Sequence, residues 1–164
     1  MKDIQSELFT VVNEQDEIIE YRSRYDCHHN PNLIHRSIDV LLKTSDGKYI
    51  FQKRSKSKDL FPGYYCVTAT GHVGKGETYE QAAYRELKEE MNIVDTPLQK
   101  ISTFIVRDQK ETEMISLFTG VYDGKMSFPR DEVESIHHVS KNEIVKLLPL
   151  TPCSWESLKL LHLL

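Results

Sequence analysis

The stretch Gly71-His72-Val73-Gly74-Lys75-Gly76-Glu77-Thr78-Tyr79-Glu80-Gln81-Ala82-Ala83-Tyr84-Arg85-Glu86-Leu87-Lys88-Glu89-Glu90-Met91-Asn92-Ile93 decides how this chain is read. Its opening is a glycine-rich loop, and its spacing predicts a helix over residues 77–92. Thr78 stands as N-cap, and Gln81, three residues on, completes a capping box. Tyr79, Ala83 and Leu87 recur every four residues, an apolar stripe that docks the helix. Glu86, Glu89 and Glu90, at i, i+3 and i+4, fall on one face. Like charges at i,i+4 cost a helix roughly 0.2–0.5 kcal/mol per pair. Such a face is either a solvated surface, eased by Arg85 and Lys88, or a cage for a hard dication. Mg2+ takes oxygen ligands, few of them from protein, and leaves room for water and phosphate oxygens.

Outward from the helix, the patterning alternates strands and turns. Residues 8–12 and 17–21 flank the polar turn 13–16 and predict an opening hairpin. Residues 33–44 are rich in β-branched and aliphatic side chains. Ser45-Asp46-Gly47 then signals a turn into a strand over 48–54. Phe61-Pro62-Gly63 marks another turn before a strand over 64–70. Strands are predicted at 101–107 and 114–122, with Asp123-Gly124 as a turn, and a short one at 135–139. Two helices close the chain: one starts at Ser140 with Glu143 as its box partner, the other at Thr151 with Pro152 at N1. Trp155, Leu158 and Leu161 have helical spacing and predict a core stripe. The order predicts an α/β chain with helices covering a mixed sheet, residues 1–164 forming one domain.

With five residues between Gly71 and Glu77 and seven between Glu77 and Arg85, the quoted stretch resembles the Nudix box, G-x5-E-x7-R-E-U-x-E-E-x-G-U, over residues 71–93. Every charged position is kept. Asn92 replaces the second glycine; Asn is the next-best residue for a left-handed helix C-cap. The resemblance implies a Nudix-type α/β/α sandwich and hydrolysis of a diphosphate linkage in a small substrate, such as a nucleoside diphosphate derivative. It implies that Glu86, Glu89 and Glu90 hold Mg2+ or Mn2+, that Arg85 orients the acids, and that Gly71 and Glu77 support the loop–helix geometry. Metal ions neutralise phosphate charge and acidify a bound water, and a glutamate can take that water's proton.

A second set of residues, His28, His35-Arg36, Arg54, Lys58, Phe61-Pro62-Gly63, Thr70-Gly71-His72, Glu111-Thr112-Glu113 and Trp155, looks like the type I isopentenyl-diphosphate isomerase branch of that superfamily. It covers roughly residues 11–155. This resemblance implies a divalent metal on His28, His35, His72, Glu111 and Glu113, and diphosphate binding by Arg24, Arg54 and Lys58. The isomerases carry a catalytic Cys where this chain has Thr70, a far weaker acid, and they typically lose acids after the box arginine, whereas Glu86 and Glu89 are kept here. Hydrolysis is therefore the main expectation. An isomerase lacking the usual thiol and a non-catalytic diphosphate-binding module are the alternatives.

Composition sets the outer bounds. The chain has 164 residues, of which 39% are hydrophobic and 28% charged, so it can bury a core and solvate its surface. Twenty-one Lys and Arg against 25 Asp and Glu give a net charge of −4, unlike a protein built to grip nucleic acid. No stretch approaches the roughly 18 apolar residues of a membrane helix, and the polar start, residues 1–7, has no apolar signal region. Cys27, Cys66 and Cys153 are odd in number and lack CxxC spacing, which predicts reduced thiols in the cytoplasm. The identity of the substrate's other half and the oligomeric state are not readable.

Overall fold

The computed structural model describes residues 3–164; Met1 and Lys2, at the start of the polar amino-terminal stretch, lie outside the described residues. Strands β1 (Leu8–Val12) and β2 (Ile18–Ser23) form the opening hairpin. Helix α1 (Arg24–His29) follows, its N-cap Ser23 accepting the Asp26 N–H. Six residues are too few to show a helical period, so this element was not foreseen. Then come β3 (Ile34–Lys43), β4 (Tyr49–Arg54), β5 (Tyr65–Cys66), β6 (Ala69–His72), helix α2 (Tyr79–Met91), β7 (Gln99–Arg107), β8 (Thr112–Val121) and β9 (Val133–Val139). A 3-10 helix (Lys141–Lys146) and helix α3 (Pro152–Leu160) end the chain.

The sheet is mixed, as expected. β3 is its spine: β8 runs parallel along its whole length, while β1 and then β6 pair antiparallel with it. β4 carries β5 and β9, and β7 pairs with β8. Side chains alternate across β3. Ile34, Ile38, Val40 and Leu42 pack with Ala82, Ala83, Leu87 and Met91 of α2. Leu41, on the opposite face, packs with Phe51, Ile144, Leu147 and Leu158 under the two C-terminal helices. Helices thus cover both faces.

Two expectations need correction, and a third gains detail. The strand over 64–70 is two short strands, because the chain crosses there from β4 to β3. Thr68 anchors the crossing, its Oγ donating to the Ile50 carbonyl at 2.6 Å and accepting the Leu42 N–H at 2.9 Å. The helix after Ser140 is 3-10 rather than α, although the Ser140 N–H does donate to Glu143 at 2.9 Å. Trp155 does not join the core: it is 42% exposed while Leu158 is fully buried, because α3 turns Ser154, Ser157 and Leu158 inward and leaves Trp155 on its flank. Asn92, by contrast, takes the left-handed conformation at φ 56° and ψ 34°, its N–H reaching the Lys88 carbonyl at 3.0 Å. No helix among the described residues is long and apolar enough to cross a membrane.

Candidate functional site

Strand pairing assembles the site on one face of β3. Cross-strand partners point the same way, so His35 stands beside Glu113 of β8, and Ser37 and Asp39 beside His72 and Thr70 of β6. Of these, Thr70, His72 and Glu113 line a cavity of about 860 Å3 that reaches the acids of α2 on one side and α1 on the other.

The acid helix meets β6 at Gly71. A Cβ built there would lie 2.1 Å from the Glu86 carboxyl carbon, so only glycine lets Glu86 lie against the strand. Arg85 binds the whole motif together. Its Nε donates to Glu77 Oε1 at 2.6 Å; its Nη2 donates to Glu77 Oε2 at 3.0 Å and to the His72 carbonyl at 2.9 Å; its Nη1 donates to Glu86 at 2.7 Å and Glu89 at 3.1 Å. Glu77 Oε2 also accepts the Gly74 N–H at 2.9 Å. Burial opposes ionisation of Glu77, yet Arg85 and that N–H hold its carboxyl below the ordinary range.

The three box acids do not share one environment. Glu90 is 6% exposed, and its Oε2 accepts both the Gln52 amide at 2.7 Å and the Thr70 N–H at 3.1 Å. Glu86 is braced by Arg85, and Glu89 turns outward, its side chain 57% exposed at the cavity rim. Burial pushes the carboxyls of Glu86 and Glu90 well above the usual range; Glu90 pushes Glu86 further, while Arg54 draws Glu90 down. A dication between them would relieve both.

Beyond β6 lies a second cluster. One ligand atom from each of His28, His35, His72 and Glu111 lies within 4.8 Å of the others. His28 Nε2 is 3.2 Å from His72 Nε2 and 3.4 Å from Glu111 Oε2, and His35 Nε2 is 3.5 Å from the same oxygen. Neither His35 Nε2 nor Glu111 Oε2 completes a hydrogen bond among the described residues, although both are buried. Unpaired buried polar atoms cost about 1–3 kcal/mol each, and a divalent ion would satisfy all four groups. Burial, with His28 adding to it, lowers His35 to about 3 and holds His72 well below its ordinary value; neutral imidazole is the metal-binding form. On its far side, His28 Nδ1 faces Asp59 at 3.5 Å, the outer carboxylate that commonly orients a ligating histidine. Glu113 lies 4.0 Å from His35 and accepts the Cys153 thiol, which burial and Glu113 push well up.

The basic residues are already partnered. Lys58 Nζ binds Asp3 at 2.7 Å and Glu132 at 2.6 Å. Arg24 lies 3.4 Å from Asp3 and 3.8 Å from both Glu7 and Asp59. Arg54 donates to the Leu60 carbonyl at 3.0 Å. All three line the cavity. Sequence reasoning missed Asp3, Asp39, Gln52 and Asp59. Gln52 and Asp39 carried one available signal: each is a polar residue inside an apolar strand run.

The NUDIX domain family model matches residues 33–161. An uncharacterized Nudix hydrolase of Pseudomonas aeruginosa is 30% identical over 158 residues, covering 94% of this chain and 93% of that one. Isopentenyl-diphosphate Delta-isomerase 2 of Photorhabdus laumondii is 30% identical over 145 residues, covering 88% and 80%. The crystal structure of DR0079 from Deinococcus radiodurans superimposes with a TM-score of 0.74 at 24% identity, covering 85% of this chain and 87% of that one.

Proposed function

Because this chain belongs to the Nudix family, we propose that it acts as a single-domain, Mg2+- or Mn2+-dependent hydrolase that cleaves the diphosphate linkage of a small, nucleoside-diphosphate-like substrate. The observation that carries this reading is the convergence of Glu86 and Glu90 on one cavity, braced through Arg85 by Glu77. When bound, the metal supplies charge neutralisation at the phosphate oxygens and a more acidic water. Glu86 and Glu90 present the carboxylate oxygens that would hold it. Glu89, at the rim, accepts the proton of the attacking water. Arg54, Lys58 and Arg24 line the wall where the substrate's anionic end is held. Three free cysteines, with Cys66 pushed up to about 12 by burial, fit a reducing cytoplasm. A phosphate-release screen over nucleotide, sugar, coenzyme and prenyl diphosphates with each metal tests the proposal; no turnover of any of them favours a binding module.

One observation favours a second reading. The His28, His35, His72 and Glu111 cluster holds four of the five residues that the isomerase resemblance implies, and an isomerase stands among the relatives. Against it, Thr70 occupies the position where the isomerases carry a thiol, and Cys153 reaches Glu113 from α3 instead. Deuterium entering isopentenyl diphosphate in heavy water would promote the isomerase reading.

A further inference from the structure

Gln52 lies outside the box and does not line the cavity, yet its placement needs a reason. It is 1% exposed in the middle of β4, preceded by the fully buried Ile50 and Phe51 and paired with Cys66 and Ile136 on the adjoining strands. A buried amide costs stability unless its hydrogen bonds are made. Its Nε2 donates to Glu90 Oε2 at 2.7 Å, and the Thr70 N–H donates to the same oxygen at 3.1 Å. Two donors from two different strands fix the plane of the Glu90 carboxylate. Among the described residues nothing donates to the other oxygen, Oε1, and Glu90 lines the cavity. We propose that Gln52 is a positioning residue: with the Thr70 N–H it pins one Glu90 oxygen so that the other is presented to the metal.

This inference rests on Glu90 being a metal ligand, and a double-mutant cycle separates the two claims. Mn2+ alone is titrated by electron paramagnetic resonance into the whole protein, following the class of site that Glu90→Gln weakens. Gln52→Met keeps the length and removes the donor. It is expected to raise the Mn2+ dissociation constant about tenfold or more, in the range found for outer-shell partners of metal ligands. In the Glu90→Gln background it should change affinity less than about twofold, because Gln52 acts through Glu90. Gln52→Asn, which withdraws the amide by one methylene, should give a smaller loss and guards against a folding failure of the Met variant. If Gln52→Met lowers only the melting temperature, or adds its full effect on top of Glu90→Gln, the positioning role is wrong while the metal site stands. If Glu90→Gln leaves Mn2+ binding untouched, the ligand assignment itself falls, and the proposal with it.

Discussion

Gly71 and Glu86 are locked together by space: the strand residue has no side chain because the helix carboxyl lies where one would be, 2.1 Å from an added Cβ. The atoms in conflict are the end of a flexible side chain, so the backbone need not yield. Gly71→Ala is therefore expected to fold, losing about 1 kcal/mol or less of stability, while displaced Glu86 costs about 10²-fold in kcat. Thermal melts beside turnover assays check this. A collapse of the fold with activity per folded molecule unchanged would contradict it.

Arg85 spends five hydrogen bonds on Glu77, Glu86, Glu89 and the His72 carbonyl. A lysine offers a single charged centre and cannot span these positions. Arg85→Lys should lower kcat about tenfold to a hundredfold with little change in KM. Steady-state kinetics distinguishes this from lost substrate binding.

Burial holds protons on Glu86 and Glu90 in the metal-free protein. Metal binding must release them, so Mn2+ affinity should rise as pH increases from about 6 to about 8, with proton release falling over the same range. Calorimetry in buffers of different ionisation enthalpy measures both. An affinity flat in pH would place the metal elsewhere.

Asp3 sits between Lys58 and Arg24, where a phosphate would compete with it. Asp3→Asn should tighten binding of inorganic pyrophosphate about threefold to tenfold, while Lys58→Ala should raise KM more than it lowers kcat. Calorimetric titration of both variants checks the pair. Unchanged binding in both would make these cations purely structural.

Asp39 is 1% exposed, and burial, opposed by its Ser157 hydrogen bond, raises its carboxyl to about 7 from 3.8. Between those two values the folded state holds a proton that the unfolded chain has lost. Stability therefore falls as pH rises through this window. Asp39→Asn keeps the Ser157 bond and removes the titration. The fall in Tm between about pH 5 and about pH 8 should shrink by a few degrees, as calorimetric melts will show.

The acid helix was legible because its signals are local: the Thr78 cap, the four-residue stripe and the Asn92 C-cap all lie within one window. The cavity wall was not. Lys58 belongs to a run, Lys53 to Lys58, that looks like solvated surface, and the acids that pair with it come from residues 3 and 132. His35 meets Glu113 only through the parallel pairing of β3 with β8, which no turn specifies; the resemblance to the isomerase branch named these residues where spacing could not. Glu89 reads as a twin of Glu86 on a helical wheel, but Glu86 lies against Gly71 while the Glu89 side chain is 57% exposed.

Strand β6 has only four residues, and alternate positions along it face opposite sides of the sheet: Thr70 and His72 stand beside Asp39 and Ser37, while Gly71 lies against Glu86. Chemistry on one side can therefore be rewritten by a single codon at position 70 without disturbing the steric fit at position 71. Inserting or deleting one residue here, by contrast, would turn the strand's side chains to the opposite faces at a stroke.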